Sequence, residues 1–267
     1  MLFQRDPVWR TPEELVEIGF QRSSVVMMNE AHNGLKRCIR TRQIGQRILP
    51  TAHRAGVRHL AMEALHPPYF AEQCNRTRQP PTLAGDGYLS QPDMQEFIRA
   101  ALELGWTLVP YEADAEKWLS TKFDAHFLQS EASNETRLAA LISEEYTNWR
   151  EEQQALNLIS VLNSLPANTP LLVWCGNGHL GKITINQRLP MGYQFQKHSN
   201  INPFAIDQTR TVKFDEKHSR SAVANKFSTD LLKYSGTAGF LMQEAPAMIG
   251  KLRFADAYLL STENAME

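Results

Sequence analysis

The sequence predicts an α/β protein, with a central, mainly parallel β-sheet flanked by helices on both faces. Three observations carry this. Short apolar runs at Ser24–Met28, His59–Met62, Trp106–Tyr111 and Leu171–Trp174 alternate with longer helical patterns. The runs are apolar throughout, as in strands covered on both sides. Acids or glycines follow them: Glu63, then Glu112 and Asp114, then Gly176 and Gly178. The C-terminal edge of such a sheet is where open α/β proteins bind ligands.

Composition sets the limits. The 267 residues suffice for one α/β domain spanning 1–267, and 42% of them are hydrophobic. The formal net charge of −1 gives no field favouring nucleic acid or an anionic membrane. Cys38, Cys74 and Cys175 lie far apart without a CxxC, which argues against a disulfide framework or a structural zinc site. The first residues lack a signal-peptide apolar core, and no run approaches the roughly 20 apolar residues of a membrane span. The expected location is cytoplasmic.

Taken in order, residues 1–22 form a lead-in, with a helix start at Thr11-Pro12-Glu13-Glu14: an N-cap, a proline at the first helical position, then acids. The first strand, Ser24–Met28, leads to Glu30 and His32. The helix from Leu35 to about Ala55 puts Leu35, Cys38, Arg42, Gly45, Leu49 and Ala52 on one side. An arginine in such a seam calls for an anionic partner. Gly56 signals the helix end. The second strand, His59–Met62, ends at Glu63. Residues 66–92, rich in proline and glycine, are expected to be an irregular, substrate-shaping insertion with a helical turn near Tyr69–Arg76. A helix then runs to Leu104, closed by Gly105, and the third strand delivers Glu112 and Asp114. Ser133 to about Leu165 predicts a long helix broken once, with Leu138, Ile142, Trp149, Gln153, Leu156 and Ser160 along one face. The fourth strand, Leu171–Trp174, ends in Cys175-Gly176-Asn177-Gly178-His179. Residues 186–220 are polar and read as a second irregular insertion, with strand character at Thr211–Phe214; Ala257–Leu260 reads as a last strand.

The candidate chemistry gathers at these strand ends. Glu30 and His32 can supply a general base beside a second titratable group, or two metal ligands; a surface Glu and a loop-capping His would look the same. Glu63 would sit beside Glu30 if strands one and two were neighbours, and paired carboxylates push one pKa upward. Arg42 could answer that acidity or snorkel at a helix boundary. His179 aims at the same edge, unless its turn is a hairpin with a solvated histidine. Glu112 and Asp114 fit supporting or helix-capping roles. Arg150 and Glu151 either face the site or are solvated. No G-x-S-x-G elbow occurs, and Cys175 has no convincing base.

Together these residues resemble the erythromycin-esterase-like and ChaN-like hydrolases of the wider Tiki and TraB group. The resemblance lies in Asn29-Glu30-Ala31-His32, Arg42, Glu63, Arg150-Glu151 with Asn157, Trp174 through His179, Leu189-Pro190-Met191-Gly192 and Phe254–Tyr258. It departs at Asn29, where the family has glycine, and at Gly176, where the esterase-like members have histidine. It implies an α/β sandwich with the acids and histidines in a cleft. It also implies hydrolysis of an ester, lactone or amide bond in a small molecule or peptide. Glu30, His32, Glu63, Arg42 and His179 would be catalytic; Glu112, Arg150 and Glu151 would line the substrate site. Two alternatives stay open. One is a divalent metal, zinc, manganese or cobalt, held by Glu30, His32, Glu63 and His179. The other is a ligand-binding or biosynthetic protein, with transfer or elimination in place of hydrolysis.

Overall fold

The computed structural model describes residues 7–30, 35–82, 87–128, 133–184, 186–212, 228–244 and 254–262. Helix α1 (Pro12–Arg22) starts with a reciprocal cap: the Thr11 hydroxyl accepts from Glu14 N, and the Glu14 carboxylate accepts from Thr11 N. Strand β1 (Val25–Glu30) and helix α2 (Leu35–Arg54) follow. Gly56 then turns the chain at φ +91° into β2 (His59–Met62). A 3-10 turn (Glu63–Leu65) and α3 (Tyr69–Thr77) come next. Helix α4 (Pro92–Glu103) ends before Gly105 at φ +81° and leads into β3 (Thr107–Pro110). Helices α5 (Ala115–Lys122), α6 (Ala125–Leu128), α7 (Ser133–Leu141) and α8 (Glu144–Ser164) precede β4 (Leu171–Gly176). Helix α9 (Met191–Ser199), β5 (Phe204–Val212), α10 (Ser228–Leu232), β6 (Thr237–Leu241) and β7 (Ala257–Thr262) complete the described chain.

The strands form one sheet in the order β3-β2-β4-β1-β5-β7-β6, parallel except for the β6–β7 pair. Alternate residues of each strand feed two cores. Met28, Trp174 and Ile206 pack with residues of α1, α2 and α4; Met27, Val173 and Ala205 pack with residues of α8 and α9. This is the expected α/β architecture with helices on both faces. The inward side of α2 carries Arg42, Gly45, Leu49 and Ala52, as its spacing predicts. No described helix is long and apolar enough to cross a membrane.

Four readings need correction. Strands β1 and β2 are not neighbours, because β4 lies between them. Glu30 and Glu63 therefore arrive from strands separated by a third. Helices α7 and α8, broken at Ile142-Ser143 as expected, do not bury the predicted face. Leu138 and Ile142 are exposed, while α8 buries Glu151, Gln154, Ala155 and Leu158. Half of that buried face is polar because it serves the site, so hydrophobic periodicity points the wrong way. Residues 186–220 are no irregular insertion over their described part, since they supply α9 and β5. Strand β5 starts at Phe204, ahead of the expected Thr211–Phe214, whose last two residues lie outside the described ones. Its polarity misleads because Asp207, Gln208 and Thr209 are buried. In residues 66–92 the expected helical turn is a full helix, α3, followed by a 3-10 turn at Tyr88–Ser90.

Candidate active site

Glu30 closes β1 and is buried. Its Oε2 accepts from Arg42 Nε at 3.1 Å and from Trp174 Nε1 at 2.9 Å. Arg42 is fixed in turn: Nη1 donates to Asp93 Oδ2 at 2.7 Å and to Gln91 Oε1, and the Tyr88 ring lies 4.7 Å from the guanidinium carbon. Burial works to lower the Arg42 pKa, but the charges and hydrogen bonds of Glu30 and Asp93 outweigh it and raise it. The anionic partner that the seam demands is thus present. Arg42 works by holding Glu30.

A second connected group centres on His179, in the turn after β4. Its Nδ1 lies 2.8 Å from Glu151 Oε2, its Nε2 3.3 Å from Glu63 Oε2 and 3.4 Å from Arg150 Nη1. Glu151, on the inward face of α8, also accepts from Arg188 Nε at 3.1 Å, from Arg188 Nη2, and from Met191 N at 2.7 Å. Burial pushes the Glu151 carboxyl up. Hydrogen bonds and charge from His179, then from Arg188, more than offset that and hold it below its ordinary range. Glu151 is therefore an anion, and its contact assigns the imidazole proton to Nδ1.

Arg150 faces the same group but does not pair with its neighbour Glu151. It makes a two-pronged contact with Glu112, through Nε at 2.9 Å and through Nη2. Gln154 Nε2 adds a bond to Glu112 Oε1 at 3.0 Å. Asn157 Nδ2 ties the Tyr111 and Glu112 carbonyls to α8, each at 3.1 Å. Burial works against the charge of Arg150, yet the Glu112 contacts and the Glu63 charge raise its pKa.

The structure thus brings together Glu63, Glu112, Arg150, Glu151 and His179, while Glu30 and Arg42 form a second group, tied to β4 by the Trp174 indole. His32 lies outside the described residues. Asp114 is no site residue; it caps α5 by accepting from Glu116 N at 3.0 Å. Cys175 does not suit a nucleophile, because burial first, and the charges of Glu63 and Glu151 next, push its thiol well above the ordinary range. No periodicity or motif in the sequence marks Arg188. Trp174, in an apolar strand that suggests packing alone, also donates a hydrogen bond to Glu30. A cavity of about 500 Å³ lined by Ile142, Thr147, Asn186 and Arg188 opens beside this group, reaching Glu151 through Arg188.

His32, one of the four candidate metal ligands, lies outside the described residues. No three His, Cys, Asp or Glu side chains gather as ligands among the described residues. The Arg150 guanidinium stands 3.4 Å from His179 Nε2, where it would repel a cation.

No protein-family model matches the chain. No curated protein matches it either. Among solved structures it is similar to an erythromycin esterase mutant, EreC in its open conformation, with a TM-score of 0.55 and 12% identity over 96% of this chain and 97% of that one. The chain shares the fold of erythromycin esterase. A Bacillus cereus protein is similar at a TM-score of 0.50 and 10% identity, covering 98% of this chain and 94% of that one. A structure described as bacterial protein toxins matches at a TM-score of 0.44 and 10% identity; this chain covers 35% of its length, and that likeness bears on neither fold nor activity. At such identities the esterase similarity concerns the fold alone.

Proposed function

We propose that this chain is a cytoplasmic hydrolase that cleaves an ester, lactone or amide bond of a small molecule or peptide. One observation carries the reading: an imidazole, His179, whose Nδ1 sits 2.8 Å from a buried, ionised carboxylate, Glu151. With the imidazole neutral, that contact makes Nδ1 the donor and Nε2, which faces Arg150 Nη1 at 3.4 Å, the acceptor. Water at Nε2 gives up its proton as its oxygen attacks the carbonyl carbon. Glu151 stabilises the imidazolium that forms, and Glu63, 3.3 Å from Nε2, adds to that. The proton then passes to the leaving oxygen or nitrogen. Arg150, anchored on Glu112, is the nearest cation to the reacting centre and supports the developing oxyanion.

The test is a panel of 4-nitrophenyl esters, lactones and short peptides, assayed with the wild type, His179→Asn and Glu151→Gln. His179→Asn is expected to lose about 10²–10⁴-fold in kcat/KM. His32→Ala is assayed beside it, since the sequence offers Glu30 and His32 as a general base. Wild-type turnover in His179→Asn would refute the assignment. Activity abolished by a chelator and restored by zinc, manganese or cobalt would replace it with the metal-dependent reading.

A further inference from the structure

Gly178 precedes His179 in the turn after β4. Its φ is not positive, so the backbone conformation does not call for glycine there. The reason is space. A Cβ at this position would stand 2.7 Å from Arg188 Nη1 and 2.9 Å from Cζ, and closer still to Nη2. The guanidinium thus lies against the bare Cα of Gly178. The Arg188 side chain is 40% exposed, whereas its partner Glu151 is 1% exposed. An arginine so exposed ordinarily gains little from an ion pair, because holding it costs entropy. Here it is seated on the turn, and both Nε and Nη2 donate to Glu151 Oε1.

The His179 backbone is fixed independently of Arg188. His179 N donates to Gly176 O at 3.1 Å, and Gly192 N donates to His179 O at 2.9 Å. What remains to be set is the ring, through the contact of Nδ1 with Glu151 Oε2. Met191 N, at the start of α9, holds that oxygen at 2.7 Å. The other oxygen, Oε1, accepts from Arg188 alone among the described residues. A carboxylate pinned at one oxygen can swing about its last torsion, whose energy wells are broad. Arg188 pins the second oxygen. The carboxylate plane is then fixed, and with it the line to Nδ1.

We propose that Arg188, seated on Gly178, is a positioning residue: it fixes the Glu151 carboxylate, which in turn sets the tautomer and orientation of the His179 imidazole. For turnover this rests on the hydrolase reading; the ring orientation stands without it.

The test is nitrogen-15 NMR of the full chain labelled at histidine, with the His179 signals assigned by their loss in His179→Asn. It is run at pH 8, where a histidine of ordinary pKa, about 6.5, is neutral. The wild type should show Nδ1 protonated and Nε2 bare. Gly178→Ala is the gentler perturbation, because the atoms nearest the added methyl belong to the guanidinium, and its Tm should stay level. Gly178→Ala and Arg188→Met should each give a mixture of the two tautomers. Arg188→Lys keeps the charge without the paired N–H groups and should fall between. Adding Gly178→Ala to Arg188→Met should change nothing further, since the glycine acts through the arginine. With a 4-nitrophenyl ester that the wild type turns over, each single variant should lose about 10–100-fold in kcat with KM little changed. A mixture of tautomers already in the wild type overturns the proposal. So does the wild-type tautomer kept in both single variants, or a further shift when the two are combined. The two readings fail separately. The expected tautomers without turnover of any ester, lactone or peptide keep the positioning role and remove the hydrolase. Turnover with the wild-type tautomer kept in both variants does the reverse.

Discussion

Arg42 shows what a single residue discloses. A cation in an apolar helix seam is costly unless paired, and the structure supplies Glu30, Asp93 and Gln91 around it. Replacing Arg42 with methionine leaves two carboxylates, one fully buried, without their counter-charge. We expect a loss of about 3–5 kcal/mol in urea unfolding. Arg42→Lys keeps the charge but loses the fork that reaches Glu30 and Asp93 together, so it should fall between. Coupled with Glu30→Gln in a double-mutant cycle, the methionine variant should show an interaction energy above about 1 kcal/mol. A purely additive cycle would mean that the contact does not stabilise the fold. Sequence reaches Glu63 and His179 for a related reason: each is a polar residue that follows an apolar strand. Arg188 escapes it because it is one polar residue in a polar segment, and only the fold brings it to Glu151.

At the scale of elements, helices and strands are legible where packing is apolar and hidden where it is polar. Helix α2 announces its buried side through Gly45, Leu49 and Ala52. Helix α8 conceals its own, because Glu151 and Gln154 occupy the inward face. Strand β5 hides for the same reason: Asp207 and Thr209 are held by Asn29 and Asn177 in a hydrogen-bonded cluster that a pattern of apolar residues cannot register. Helix α2 also offers a test. A Cβ on Gly45 would stand 2.9 Å from Phe97 and 3.0 Å from Trp174. Alanine favours a helix by about 1 kcal/mol over glycine, but forcing atoms into a filled core costs about 1–3 kcal/mol. The two aromatic rings pack on each other with centroids 4.6 Å apart, and Trp174 is further held by its bond to Glu30. Overpacking should therefore win. Gly45→Ala should lower the Tm by displacing the indole that is bound to Glu30. An unchanged or raised Tm would show that α2 can move away freely.

Across the whole molecule, Glu151 links one covering layer to the sheet. From α8 it reaches His179 after β4, Arg188, and the start of α9 at Met191 N. Its carboxyl is lower than ordinary in the folded state, whereas in the unfolded chain it returns to about 4.3. Between the two values the unfolded chain binds more protons, so acid favours unfolding. The stabilisation is complete above the ordinary glutamate range and is lost as pH falls through the lowered folded value. Urea unfolding at a series of pH values from 7 downward should therefore show the wild type losing stability faster than Glu151→Gln once the pH drops below about 5. The gap between them should be widest near neutrality and should shrink in acid. The two proteins differ only at residue 151, so the difference between the two curves reports on Glu151 and its partner His179. A gap that stays constant with pH would mean that the Glu151 charge contributes nothing to holding α8 and α9 on the sheet, and that its part in positioning His179 is steric alone.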